Sequence, residues 1–277
     1  MRTRPGRPAS LPRLAFSRAN VELTIFFRDA QAAVFTFLLP IMLLVVFSAV
    51  FTGSVAGPPG VPALPFRQYF AAGMMASGIV SASFTTVAVG VAIEQYDGTL
   101  KRLAGTPLPK GAYFAGKIMA ATVLAFLASG VMLVIGVVAY DLDLPSTLGR
   151  WLALFWVPAL GIACCCLLGL AYTRAVHTPK GAAPVVIAPY LLLQFTSGVF
   201  FVFTDLPRWM QALAALFPLK WVAQGLRYAL LPDWVAANEP AHSWELGRIA
   251  VVLVAWLVAG AIIARLTFRW DRSDVPQ

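Results

Sequence analysis

Long stretches without a single charge constrain this chain more than any other feature. No Asp, Glu, Lys or Arg occurs in residues 30–66, 68–93, 118–140, 151–173, 181–204 or 249–264. Only 12% of the 277 residues are charged, and those cluster between the stretches, whereas a soluble domain carries about a quarter. A hydrocarbon core about 30 Å thick takes roughly 20 apolar residues of helix. Five stretches meet that length unaided. The sixth does so when Leu246 and Gly247 join it and Arg248 and Arg265 snorkel to the interfaces. Lipid cannot satisfy open backbone groups, so the expected form is helical. The expectation is therefore an all-α integral membrane protein with six transmembrane helices, at about residues 33–53, 68–93, 116–140, 151–173, 182–203 and 246–265.

Basic residues orient such a chain. With the N-terminus inside, the inner segments hold 15 Lys and Arg and the outer segments 6. This asymmetry predicts both termini in the cytoplasm and a multi-pass protein of the cell membrane. The net charge of +9 is read as an orientation signal and a contact with membrane lipid. No RNA or DNA motif accompanies it, so nucleic acid is not an expected partner. Ser54-Val55-Ala56 resembles a signal-peptide cleavage site. The leader of about 30 residues and the apolar run of about 20 are both too long for one, so the first span is read as retained. Cys164, Cys165 and Cys166 are consecutive, which suits packing rather than disulfide or metal-ligand spacing.

Between the spans the chain divides further. Residues 1–10 are rich in Arg and Pro and are expected to form a disordered basic tail. Over residues 11–29, Arg13, Ser17, Asn20, Thr24 and Arg28 make one polar stripe, and Leu11, Leu14, Val21 and Ile25 mark an apolar face. A basic amphipathic helix before a span predicts a helix lying in the inner interface. Residues 269–277 are expected to form a cytoplasmic tail. In the outer segment 205–245, Leu206, Trp209, Met210, Leu213, Leu216 and Phe217 recur at helical steps until Pro218, and a second helical stretch runs from Trp221 to Leu231. Both pieces are too short to cross a bilayer, which predicts re-entrant or interfacial helices before the last span.

Several motifs lead nowhere. Residues 111–117 have the GxxxxGK spacing of a phosphate-binding loop, but Ile118 stands where a Ser or Thr must reach Mg²⁺ and no strand precedes it. Lys117 is expected instead to anchor a span at the inner interface. His177 and His242 lie in loops, and neither a metal site nor a catalytic residue is expected. Ion-coupled transporters place ionisable groups inside the membrane, and the spans here lack them. The chain also has no ATPase domain, so work done on a substrate is expected to come from a partner.

The inner loop, residues 94–117, then draws attention. Gly98 allows a sharp turn, Thr99 can cap a short helix, Leu100 and Leu103 give it an apolar edge, and Pro107 stops it. A short two-sided helix on the membrane face is suited to meet another protein. Glu94, Gly98-Thr99-Leu100, Leu103, Thr106-Pro107 and Gly116-Lys117 together resemble the signature of ABC-2 type transporter permeases. The resemblance extends over nearly the whole chain, including Phe217-Pro218-Leu219-Lys220-Trp221 before the last span. It departs where Gln95, Tyr96 and Asp97 replace an acidic/basic alternation and where Lys101 occupies a position that is frequently acidic.

The resemblance implies an ABC-2, type V exporter-like fold and the membrane subunit of a drug-resistance-type exporter. Such a subunit is not an enzyme and binds no cofactor. Two copies of a separate ABC ATP-binding subunit would carry ATP and Mg²⁺, beside a second permease copy, identical or closely paralogous. Glu94, Gly98, Thr99, Leu100, Arg102, Leu103, Thr106 and Pro107 would form the coupling point to that ATPase. The second and fifth spans line the pathway in similar proteins. That makes Ser77, Ser81, Thr85, Gln194, Thr196 and Ser197 candidate path residues for a lipophilic or amphiphilic compound, drug-like or lipid. Packing of helices by the same Ser and Thr is the competing reading. Export of a lipid-linked polysaccharide and a self-contained secondary transporter or channel are the alternative functions. The orientation is tested by cysteines at Pro5 and Pro276. A membrane-impermeant thiol reagent is expected to label neither in intact cells, and labelling of either from outside contradicts the arrangement.

Overall fold

A computed structural model describes residues 10–267; the basic tail before Ser10 and the tail over 269–277 lie outside the described residues. Helix α1 (Leu11–Arg28) ends at Asp29, whose backbone leaves the helical region before α2 (Ala30–Val50) begins. The side that α1 turns inward carries small residues. Ala15 and Ala19 are buried, with Arg18 and Glu22 beside them, whereas Leu11, Val21 and Ile25 are exposed. Small residues win because α1 lies close against α6 (Lys110–Tyr140). A Cβ at Gly116 would fall 2.7 Å from the Arg18 side chain. In α2 only Leu44 is buried among the described residues, as suits a helix apolar all round with lipid as solvent.

A two-residue antiparallel ladder, β1 (Ser54–Val55) with β2 (Leu64–Pro65), closes the Gly/Pro-rich connection to α3 (Phe66–Val80). Helix α3 continues through a π-helical turn at Ser81–Thr85 into α4 (Thr86–Tyr96), making one rod of 31 residues. Every residue from Tyr69 to Val80 is buried, so this rod is the axis of the bundle. A short helix, α5 (Thr99–Ala104), precedes α6, and Thr147 caps α7 (Leu148–Tyr172) by accepting a hydrogen bond from the Arg150 amide.

Among the described residues, five helices are long and apolar enough to cross a membrane: 33–50, 66–96, 110–140, 148–175 and 246–266. The expected span at 182–203 is interrupted. Its helix, α8 (Ala182–Thr196), has 15 residues, about 22 Å at 1.5 Å per residue. Gly198 then takes a φ of +70°, where an added Cβ would stand 2.9 Å from the Phe203 ring. A left-handed glycine ends the helix and lets the chain fold back.

The segment before the last helix forms a helical hairpin, α9 (Arg208–Leu216) and α10 (Pro218–Leu230). Pro218 starts α10 rather than separating it from a helix beginning at Trp221, because a fixed φ suits the first helical position. The hairpin turn lies against the last helix. Trp256 donates a 2.6 Å hydrogen bond to the Leu216 carbonyl and stacks on Phe217 at 5.8 Å. Trp256 lies ten residues into α11 (Leu246–Thr267), about 15 Å along its axis. From there α10 returns beside α7, where Gly161 faces Val222 and Gly225 faces Val157. Small residues at these crossings let backbones approach without burying a void.

A crossing at which a glycine meets backbone sets a test. A Cβ at Gly169 would lie 2.7 Å from the Phe84 carbonyl, a backbone atom that cannot rotate away, whereas one at Gly130 would meet nothing within 4 Å. Gly169→Val is expected to destabilise the bundle by about 1–3 kcal/mol through overpacking, and Gly130→Ala to change the melting temperature little. Equal melting of the two variants in detergent contradicts this packing.

Candidate functional site

The α4–α6 connection is built from its glycine outward. Helix α4 ends at Tyr96, and Gly98 adopts φ +70° to turn the chain into α5. The Gly98 carbonyl accepts the Arg102 amide at 3.1 Å, closing the first turn. Thr99 is the first helical residue and not the cap; its hydroxyl accepts from the Arg102 guanidinium at 3.1 Å. Thr106 ends the helix by donating to the Leu103 carbonyl at 2.7 Å, and Pro107 follows outside it. Leu100 and Leu103, expected to face a partner, turn instead into the chain's own core. Leu100 is 0% exposed and Leu103 half-buried against the same cluster. A six-residue helix lying beside α4 has one apolar edge, and the spans claim it. Lys101, Arg102, Ala104, Gly105, Thr106 and Pro107 form the exposed side.

Behind α5 lies a cluster of charges joining three helices. Glu94, on the last turn of α4, accepts from Arg18 of α1 at 2.8 Å, from Lys117 of α6 at 2.8 Å and from the Tyr113 hydroxyl at 2.6 Å. Lys117 also meets Glu22 of α1 at 2.9 Å, and Arg18 pairs with Glu22 one turn away. Both cations lie near the face of the Tyr113 ring, at 5.2 and 5.7 Å from its centroid. Two cations balance two carboxylates, and almost every group is shielded from solvent. Such a knot holds together only when its members satisfy one another; removing one partner leaves a buried charge and costs about 3–5 kcal/mol.

Lys117 is therefore a tie between helices. It is 6% exposed and committed to two carboxylates. The GxxxxGK spacing also loses its meaning, since residues 111–117 are inside α6 and their amides serve that helix. Arg18, Glu22 and Tyr113 escaped the sequence reading, as did the partners of Lys117. The visible signal was the opposite-charge pair Arg18/Glu22 at i,i+4, flanked by Ala15 and Ala19, which marks a close-packed face rather than a solvated one.

The six polar residues of the second and fifth spans separate into groups. Ser77 and Gln194 meet, with Tyr190 as a third member. The Ser77 and Tyr190 hydroxyls lie 2.8 Å apart, and Gln194 donates to both, reaching Tyr190 at 2.6 Å. Thr196 bonds back to the Leu192 carbonyl of its own helix at 3.2 Å. Ser81 and Thr85 sit at the two ends of the π-helical turn, a distortion frequent at functional sites. The Thr85 and Ser197 hydroxyls are buried with no hydrogen-bond partner. Beside the Ser77–Tyr190–Gln194 clasp is an apolar cavity of about 340 Å³, walled by Val80, Phe84, Cys165, Tyr190, Leu193 and Trp256 among others.

The far end of the bundle holds a second buried knot, on α10. Arg227 is 1% exposed, lies 3.9 Å above the Tyr69 ring, donates to the Gly198 carbonyl and meets Glu239 at 3.4 Å. Lys220 reaches the other oxygen of Glu239 at 3.6 Å and donates to Gln224. Burial pushes the Lys220 ammonium below its ordinary pKa, and the Glu239 carboxylate opposes that shift. The sequence reading counted both cations only as basic residues of the outer segment; the structure makes them internal ties.

A family model described as ABC-2 type transporter matches residues 18–231. No curated protein matches the chain. The matched region begins at Arg18, includes α5 and the charge cluster behind it, and runs just past the end of α10. By this match and by its bundle of long apolar helices, the chain belongs to the ABC-2 type transporter family, multi-pass membrane subunits of ABC transporters that generally work with a separate ATP-binding subunit.

Proposed function

We propose that this chain is the permease of an ABC exporter that moves a lipophilic or amphiphilic compound, drug-like or lipid, out of the cytoplasm or the inner leaflet. Two permease copies pair with two ATP-binding subunits, which hold the ATP and Mg²⁺. The termini and α5 face the cytoplasm, following the basic asymmetry of the sequence. Helix α8 with the loop after it makes the fifth crossing of six, and the α9–α10 hairpin is re-entrant from the outer side. Its turn at mid-height of α11 supports that placement.

One observation carries the coupling role. Helix α5 is anchored in the chain's core through Leu100 and presents a polar face to solvent. A part built this way transmits a push instead of yielding to it. Glu94 and its partners weld the base of α5 to α1 and α6, so closure of the ATPase against Arg102, Thr106 and Pro107 tilts the three helices as one block. The central rod α3–α4 passes that tilt to the clasp and cavity, where Ser77 and Gln194 position the wall and the apolar lining accepts the cargo.

The exposed and buried sides of α5 have separable effects. Arg102→Glu with Ala104→Glu alters the outward face only, and is expected to lower co-purification of the ATP-binding subunit by about tenfold or more while the permease level stays normal. Leu100→Ala removes a buried side chain and is expected to cost about 2–5 kcal/mol of stability, lowering the permease level itself. Affinity purification from native membranes reads both. A charge-altered α5 that retains its ATPase and transports at the wild-type rate contradicts the coupling role.

A further inference from the structure

We propose that a cationic pocket between α9 and the start of α11 binds the phosphate-bearing headgroup of an anionic amphiphile on the outer side. The proposal rests on the transport reading and names its substrate class. The pocket has a volume of about 400 Å³ and is lined by Arg208, Gln211, Lys220, Trp221, Glu245 and Arg248, with Phe203 beside them. That is room for a headgroup rather than for a single ion.

Its charge is unbalanced. Three cations and one carboxylate face the space. Lys220 shares its other carboxylate, Glu239, with the buried Arg227, so four cations answer to two acids. Arg248 pairs with Glu245 at 2.9 Å. Arg208 is exposed and makes no salt bridge among the described residues. Two of the three pocket cations are also held in place. Lys220 lies 4.0 Å and Arg248 5.2 Å from the centroid of the Trp221 ring, which in turn is fixed by donating to the Ala215 carbonyl at 2.8 Å. Guanidinium groups leaning on an aromatic face lose little freedom on meeting a phosphate, and can grip it through two parallel hydrogen bonds.

The position of the pocket argues for an amphiphile. The α9–α10 turn forms a partition. Ala215, Lys220 and Trp221 line the cationic pocket, whereas Phe217, Pro218 and Leu219 line the apolar 340 Å³ cavity. A molecule with an anionic head and an apolar tail matches both sides of one partition, head outward. A free phosphate shares the head chemistry and lacks the tail.

The test is direct binding, with no ATPase present. Purified permease in phosphatidylcholine nanodiscs is titrated calorimetrically with dihexanoyl phosphatidylglycerol and, separately, with inorganic phosphate. The lipid is expected to bind, and Arg208→Ala with Arg248→Ala to weaken it about tenfold or more. Arg208→Lys with Arg248→Lys is expected to retain part of the affinity. Arg67→Ala, on the same side but outside the pocket, is expected to change nothing. Phosphate binding with the same sensitivity supports the pocket and assigns the affinity to the head; lipid binding alone supports it and assigns a share to the tail. The proposal is overturned if the lipid does not bind wild-type protein, if the double alanine variant, folded by its melting temperature, binds as wild type does, or if Arg67→Ala weakens binding equally. Failure here leaves ATPase co-purification untouched, and so is distinguishable from failure of the transport reading.

Discussion

Glu94 accepts hydrogen bonds from Arg18, Lys117 and Tyr113 at 2.6 to 2.8 Å, and the arrangement of one whole end of the bundle follows from that convergence. An isolated carboxylate shielded from water would lose its hydration with nothing in return. Here it gains two cations and a hydroxyl from two other helices, and Glu22 supplies the second negative charge that leaves the set neutral. Helix α1 is held to α6 by this knot and by the close approach at Gly116, with Ala15 and Ala19 buried and Leu23 and Phe26 packed against the core on the same side. The apolar residues it exposes, Phe16, Val21 and Ile25 among them, are left for lipid. The same knot fixes the last turn of α4, and therefore the point from which Gly98 launches α5.

A comparable device works at the opposite end. Glu239 binds Lys220 and Arg227, and Arg227 reaches the carbonyl of Gly198 where α8 has just ended. An interrupted helix inside a membrane protein leaves backbone groups in need of partners, and a guanidinium from α10 supplies one. Between the two knots the contacts are almost entirely apolar, apart from the Ser77–Tyr190–Gln194 clasp. Charge thus fixes the two ends while the middle is held by packing of small residues.

Much of this was legible from local pattern. Uncharged length marked the five long helices, because the bilayer imposes that length irrespective of partners. Gly98, the short helix after it and the two-piece outer segment were readable from turn residues and helical spacing. What escaped depended on contacts distant in sequence. Whether Leu100 faces a partner or its own core is decided by how α5 lies on the bundle, and a six-residue helix carries too little periodicity to say. Lys117 looked like an interfacial anchor since nothing local reveals Glu22, 95 residues earlier, as its partner. Gly198 ended α8 inside a continuous apolar run, where composition gives no sign of a break. Ser77 and Gln194 were singled out separately, yet their meeting through Tyr190 required the packing of two helices 113 residues apart in sequence.

If the Glu94 knot is what makes α5 a rigid part of the bundle, loosening it must free α5 first. Hydrogen exchange of the permease in detergent, compared between wild type and Lys117→Met, measures this directly. The amides of α5, including that of Arg102 bonded to Gly98, are expected to exchange about tenfold faster in the variant, with the amides of α7 unchanged. Unaltered exchange at α5, or equal acceleration throughout the bundle, would contradict the claim that this cluster fixes the loop helix to the spans.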